Sequence, residues 1–415
     1  MPDVSFSGLL IVTVVAFMAP FLLNLTPARR LPAVVLEIVA GIVIGPSGLG
    51  WVRVDLPIQI LSLLGLAFLL FLAGLEVELE QLRGRRMMNI GLAFLLSFGL
   101  ALLVGYALGF AGQVKSPLLI AIILSATALG VVVPLLKDAG EISSDFGQII
   151  VAGAMVAELA SIILLSLFFS GEATNTGTKL VLITGFILSA VAFAAVVLRL
   201  ERSMHFSAVL LRLQDTTAQI RVRGAFMLLV AFVALAATLG LETILGAFIA
   251  GVLLRFVDGD RMMTHPQFRL KLEAIGYGVF IPIFFITSGL QFDLAALFTS
   301  PSTILRVPIF LVALLLVRGV PALLYRPLVG NRRAIVAGLL QATSLSFIVA
   351  ASQIGLQLGL LTKATGAALI AAGLLSILIF PLLALTLLRY NDVSTIEPNE
   401  KLSVSHDSQN ISSNG

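Results

Sequence analysis

No cysteine occurs among the 415 residues, so disulfides and thiolate metal sites are excluded. Histidine is almost as scarce. His205, His265 and His406 all lie in polar connecting stretches, which argues against an imidazole-ligated metal centre, and no other cofactor is called for. Charged residues make up only 12% of the chain, while hydrophobic residues make up 59% and mean hydropathy reaches +1.09. A soluble protein of this size has too little interior to hide that much apolar surface, so its solvent is lipid. The net charge of +4 invites a nucleic-acid reading. On a multispanning protein, however, basic residues record topology, and nucleic acid is not an expected partner.

Apolar windows of about 20 residues place spans near 6–26, 32–49, 57–76, 88–112, 117–136, 147–169, 178–198, 224–240, 242–257, 272–290, 302–325, 334–355 and 364–388, about 13 in all. Met1 to Gly8 has no basic region, so the first apolar run reads as a span and not as a removable leader. With the N-terminus outside, 20 of the 26 Lys and Arg residues fall on the cytoplasmic side, and the C-terminus is cytoplasmic. This asymmetry predicts a multi-pass protein of the cell (inner) membrane.

Three short sequences occur twice. Ile38–Val43 recurs at Phe248–Leu253, Gly74–Leu79 at Gly289–Leu294, and Ala126-Thr127-Ala128-Leu129 at Ala342-Thr343-Ser344-Leu345. The offsets are 210, 215 and 216 positions, in the same order. Matching spans are seven apart, an odd number, so the two copies face opposite ways. The expected architecture is an all-α inverted-repeat membrane bundle over residues 1–388. Repeat one covers about 32–169 and repeat two about 242–388. A basic linker, 199–223, is expected to lie on the membrane surface as an amphipathic helix. The polar stretch 389–415 reads as a disordered cytoplasmic tail.

Ionisable groups inside spans cost roughly 2.5–3.5 kcal/mol each on insertion scales, so each calls for a reason. Glu158 sits in the middle of the sixth span. Burial there penalises its charged form, so it can hold a proton or, once ionised, a cation. The repeat counterpart of Glu158 falls near Leu374, so the repeat itself does not require an acid. Arg318 is the second intruder, and its permanent charge must meet an anion or carbonyl oxygens; Glu158 and the carbonyl ends of broken helices are the candidate partners. Ser125 and Thr127 occupy one Ala-Thr segment, and Gln341, Thr343 and Ser344 the other. Hydroxyls and amides in equivalent places of two repeats point to interrupted helices crossing near the midplane, whose free backbone ends can ligate a small cation. Glu37 and Glu242 open the second and ninth spans, and Glu76 and Glu78 read as interfacial.

Leu31-Pro32 through Glu37, Gly45-Pro46-Ser47-Gly48-Leu49-Gly50, Phe71-Leu72-Ala73-Gly74-Leu75-Glu76, Leu245-Gly246-Ala247-Phe248-Ile249-Ala250-Gly251 and Ile281-Pro282-Ile283-Phe284-Phe285 together resemble the monovalent cation:proton antiporter family of Kef-type and NapA-type exchangers, membrane domain only. The resemblance covers residues 6–388 and implies an NhaA-like antiporter fold with two crossed broken helices, assembled as a homodimer. It implies that Glu158 is the cation- and proton-binding acid, Thr127 the broken-helix threonine and Arg318 the basic residue of the core. Two positions depart from the pattern. Ala157-Glu158 stands where family members carry Asp-Asp, Asn-Asp or Gln-Asp, and Thr343-Ser344 stands where they carry Gly-Glu or Ser-Glu.

The function expected from these readings is secondary active exchange of Na⁺ or K⁺ for H⁺ by alternating access, electroneutral because one acid serves both ions. Two other readings stay open from sequence: a transporter-like sensor without exchange, and a Na⁺-coupled organic anion symporter using Arg318. No nucleophile–base pair is present, so an enzyme is not expected.

Overall fold

A computed structural model describes residues 6–25, 33–76, 85–169, 176–201, 219–258 and 266–407. Among these residues every regular element is helical. Eight segments are long and apolar enough to cross a membrane by length and composition. Shorter apolar segments, Ser7–Leu22, Ala33–Ile44, Pro117–Val133, Leu180–Phe193 and Thr243–Val257, fall at the other positions where spans are expected.

The helices are α1 (Ser7–Leu25), α2 (Ala33–Ile44), α3 (Leu56–Leu75), α4 (Arg85–Phe110), α5 (Pro117–Ser125), α6 (Leu129–Asp138), α7 (Asp145–Phe169) and α8 (Thr176–Glu201). After the connection come α9 (Ile220–Thr238), α10 (Thr243–Asp258), α11 (Pro266–Ile275), α12 (Ile281–Leu290), α13 (Leu294–Phe298), α14 (Pro301–Leu314), α15 (Arg326–Val329), α16 (Asn331–Gln341), α17 (Ser346–Gln357) and α18 (Lys363–Asp407). Starts are set by local chemistry. Asp55 accepts from the Ile58 amide at 3.1 Å to cap α3, and Asp293 accepts from the Ala296 amide at 2.8 Å to cap α13.

Two packing groups emerge. In one, α3 packs on α10 and α12, and α2 on α12; in the other, α4 packs on α5 and α7, while α14 and α16 pack on α18. The first group is held by close backbone approach. A Cβ placed on Gly41 would collide with the Ile286 carbonyl and come within 3.0 Å of the Gly289 Cα. A Cβ on Gly251 would collide with the Phe71 carbonyl and come within 3.0 Å of the Gly74 Cα. Gly41 matches Gly251 and Gly74 matches Gly289 in the sequence repeat, so the two junctions exchange under it. The repeat is therefore a symmetry of packing as well as of sequence.

Two boundaries differ from the sequence reading. The basic linker is shorter than 199–223: α8 continues to Glu201 and α9 begins at Ile220, which draws Arg221 and Arg223 into a helix. The centre of that linker, 202–218, lies outside the described residues, as do Glu78, His205 and His265. At the other end α18 runs on as helix past 388 to Asp407, so the backbone of 389–407 continues the register of the last span, while the rest of the stretch expected to be disordered, 408–415, lies outside the described residues.

Candidate functional site at the helix crossing

Helix α5 ends at Ser125 because Ala126 adopts an extended conformation (φ −79°, ψ 155°), and α6 restarts at Leu129. Helix α16 ends at Gln341, and α17 restarts at Ser346 after Leu345 leaves helical geometry (φ −143°, ψ −54°). Each break strands backbone donors and acceptors where lipid offers no partner. The breaks satisfy one another: the Ala128 amide donates to the Thr343 carbonyl at 2.9 Å, and Thr127 Oγ1 donates to the Gln341 carbonyl at 2.6 Å. The two interrupted helices therefore cross through direct hydrogen bonds.

Glu158, on α7, is 3% exposed and turns its Oε2 toward the start of α6, accepting from the Leu129 amide at 3.3 Å. The positive end of the α6 dipole favours an anion at that point. The second break has a matching arrangement with different chemistry. Ser376, on α18, accepts from the Ser344 amide at 3.1 Å and donates to the Ser344 carbonyl at 3.0 Å. A hydroxyl thus holds the backbone of the second break at Ser344, just before the Leu345 N-cap of α17, and its proton also faces the Gly373 carbonyl at 2.7 Å.

Arg318 is 2% exposed, and its placement follows from an irregular turn. Leu315–Gly319 form a π-helical segment, and Pro321 begins a tighter 3-10 turn, Pro321–Tyr325. Such π turns re-aim side chains and recur at functional sites. Pro321 has no N–H to offer the carbonyl four residues back. That carbonyl, of Val317, accepts from Ser97 Oγ at 2.8 Å instead. The guanidinium then meets only neutral oxygens: Thr127 Oγ1 at 2.9 Å, Ser97 Oγ at 3.2 Å, Gln341 Oε1 at 3.4 Å and the Gly153 carbonyl at 3.5 Å. Neither partner weighed for Arg318, Glu158 or a carbonyl end of a broken helix, takes the contact: the broken helices contribute the side-chain oxygens of Thr127 and Gln341, and the one backbone carbonyl is that of Gly153 on α7. The carboxyl is engaged at the start of α6, and the π turn directs the guanidinium to the other side of the break.

The remaining predicted residues collect around the same crossing. Ser125 donates to the Ile122 carbonyl at 2.9 Å and shares a 3.1 Å hydrogen bond with Ser161. Thr343 donates back to the Leu339 carbonyl at 3.2 Å, whereas Ser344 Oγ and Gln341 Nε2 are buried without a partner among the described residues. Glu37 is buried on α2, the Glu242 amide donates to Ser166 Oγ at 3.3 Å, and Glu76 pairs through Oε1 with Arg269 at 3.7 Å while its charge is close enough to act on Glu158. Sequence reasoning did not select Ser97, Ser161, Ser376 or Gly153. A lone serine in an apolar span and a proline four residues after Val317 were the available signals for Ser97. Among the described residues no group of three or more His, Cys, Asp or Glu side chains could hold a resident metal ion.

Paired breaks crossing within an inverted repeat, with one buried acid at a half-helix N-terminus, define a secondary carrier that works on small ions and is not an enzyme. The chain belongs to the sodium/hydrogen exchanger family, whose transmembrane model matches residues 13–388. It is 34% identical over 393 residues to YjbQ of Bacillus subtilis (strain 168), covering 91% of this chain and 62% of that protein's length. It is 26% identical over 376 residues to the Na⁺/H⁺ antiporter of Enterococcus hirae, covering 85% of this chain and 91% of that one. The fold is that of the sodium proton antiporter MjNhaP1 from Methanocaldococcus jannaschii: TM-score 0.64 at 16% identity, covering 92% of this chain and 98% of that one. Neither the sensor reading nor the organic anion symport reading is supported by these relatives.

Proposed function

We propose that the chain exchanges Na⁺ or K⁺ for H⁺ one for one, with the two ions taking turns on Glu158. The observation that carries this reading is the Glu158 carboxyl, buried at the crossing with its Oε2 on the Leu129 amide. Ionised, that carboxyl carries a negative charge that the single amide and the α6 dipole only partly offset, and a monovalent cation completes the compensation. Protonated, it is neutral and has no charge with which to hold the cation. Exclusive occupancy couples the two flows, and movement of the crossing between the two membrane faces turns exclusivity into exchange.

Thr127 and Ser125 commit their hydroxyl protons to carbonyls, Thr127 to Gln341 and Ser125 to Ile122, so they keep the first break in register while offering oxygen lone pairs nearby. From the second break Thr343 commits its proton to the Leu339 carbonyl, Gln341 accepts from Arg318 through Oε1, and the Ser344 hydroxyl is left without a partner among the described residues, which supports oxygen ligation there. Arg318 supplies a fixed positive charge in the core and keeps an empty, ionised Glu158 tolerable without sealing it in an ion pair. The excess of basic residues on one side supports an N-terminus outside and a cytoplasmic C-terminus in the inner membrane. Assembly as a homodimer follows from the family resemblance. E. hirae's protein is named for Na⁺ and H⁺, which favours Na⁺ as the cation here.

The test is recovery of a quenched pH gradient in proteoliposomes on adding Na⁺, K⁺ or choline, with and without an imposed membrane potential. Recovery with Na⁺ or K⁺ that ignores the potential is the expected result. Wild-type recovery in Glu158→Ala would overturn the mechanism.

A further inference from the structure

Glu76 follows the last turn of α3, and its two oxygens have different surroundings. Oε1 lies 3.7 Å from Arg269 Nη2, while the guanidinium gives its short contact, 2.7 Å through Nε, to Glu273 Oε1. Oε2 is buried without a hydrogen-bond partner among the described residues. A buried oxygen left unpaired is costly unless a further partner takes it up. One guanidinium shared between two carboxylates leaves this trio with a net negative charge.

The trio borders the crossing. One turn beyond Glu273, Tyr277 stands in a second π-helical segment, Gly276–Phe280. Its hydroxyl would be 3.9 Å from a Cβ on Gly130, next to Leu129, whose amide binds Glu158. The charges of Glu76, Glu273, Arg269 and Glu158 all reach Tyr277, and the charge of Glu76 acts directly on Glu158. The repeat sharpens the contrast between the two ends. Glu76 matches Gln291 at an offset of 215 positions. Gln291 is neutral, and its Oε1 accepts from Gln353 Nε2 at 3.3 Å. One end of the repeat carries a carboxylate with an unused oxygen, and the other an amide already engaged.

We propose that Glu76 is a second station for the transported monovalent cation, serving only the access state in which the crossing opens toward its own end of the bundle. The inference rests on exchange at Glu158 and adds where the ion is first held. Glu76 follows α3, in the glycine-locked group, whereas Glu158 lies on α7 in the other group. Movement of one group against the other changes the separation of the two acids, so their coupling fades in the opposite access state. There the entering ion meets the Gln291 amide instead. The two faces of the carrier are thereby unequal in their hold on the cation.

The experiment is Na⁺-driven proton flux in membrane vesicles carrying the full chain, prepared with either face outward and held at constant ionic strength. Glu76→Gln is expected to raise the half-maximal Na⁺ concentration about threefold at the face that carries Glu76, as loss of one screened charge near a site does. The maximal rate should return at high Na⁺, and the opposite face should be unchanged. Glu76→Asp, which keeps the charge, should shift the value less. Arg269→Gln removes the competing cation and should lower the half-maximal concentration at the same face, a sign that damage to the fold does not produce. No rise in Glu76→Gln, an equal rise at both faces, or a rise in Arg269→Gln would overturn the proposal. Exchange surviving in Glu158→Ala would instead strike the Glu158 reading, so the two failures are distinct.

Discussion

Arg318 donates through Nε to Thr127 Oγ1 at 2.9 Å, and Thr127 passes its own proton to the Gln341 carbonyl at 2.6 Å. One hydroxyl thus joins the buried cation to both broken helices. Thr127→Val keeps the shape and removes the hydroxyl, leaving a guanidinium N–H and a carbonyl oxygen unpaired. A hydrogen bond to a charged group contributes about 1.5–3 kcal/mol, so the valine variant should lose stability of that order. Thr127→Ser should stay near wild type. Thermal unfolding of the detergent-solubilised protein measures both.

Glu158 and Ser376 each hold a backbone amide at one of the two breaks, which separates the structural duty of Glu158 from its ionic one. Glu158→Ser should keep the fold, because Ser376 shows that a hydroxyl can hold the backbone of such a break. Exchange in proteoliposomes should nonetheless vanish. Ser376→Ala should do the opposite, costing about 1 kcal/mol, as loss of a neutral hydrogen bond does, while leaving the choice between Na⁺ and K⁺ unchanged. Exchange retained in Glu158→Ser would show that the carboxyl is dispensable.

Competition for one carboxyl fixes a pH dependence. Lowering the pH should raise the Na⁺ concentration needed for half-maximal exchange, with the maximal rate recoverable at high Na⁺. The measurement is a series of Na⁺ titrations at several pH values in proteoliposomes. A maximal rate that falls while the half-maximal concentration stays constant would mean that the proton acts elsewhere.

Gln353, on α17, donates to Ser288 Oγ and to Gln291 Oε1, both at 3.3 Å, joining the crossing to the α12 end of the other packing group. Gln353→Leu removes this tie. At about 0.5–1.5 kcal/mol for a neutral hydrogen bond, the balance between the two access states should shift roughly two- to tenfold. A cysteine placed at Gln291 in the otherwise cysteine-free chain, labelled from the outside, reads the shift as a faster reaction.

The repeats in the sequence carried more information than composition did. The matches containing Gly41 and Gly74 pointed to equivalent segments, and in the structure each of the two meets the other's counterpart, Gly41 against Gly289 and Gly74 against Gly251. The Ala-Thr segments likewise marked both breaks, because small residues and hydroxyls at matching depths suit interrupted helices. The partner of Arg318 was only half legible. Ser97 lies 221 positions from Arg318, and its role depends on a carbonyl freed by Pro321 and on a π turn. Both are properties of backbone geometry that residue periodicity does not encode. Ser376 was missed for a related reason: the repeat offset pointed to Leu374, and the serine that holds the second break lies two residues further on.

Methyl groups at the four junction glycines should be poorly tolerated, since each would strike a backbone carbonyl and not a movable side chain. Gly41→Ala and Gly251→Ala should each cost about 1–3 kcal/mol or more, as overpacking does. Gly91→Ala, which meets nothing within 4 Å, should be neutral or stabilising in the same unfolding assay.

The glycine junctions also constrain how the molecule can work. Main chain pressed against main chain leaves no cushion of side chains to slide over, so α2, α3, α10 and α12 are locked to one another as a static chassis. Any stroke that carries an ion from one face to the other must then take place where that chassis borders the crossing, along the seam bridged by Gln353 and overlooked by Tyr277.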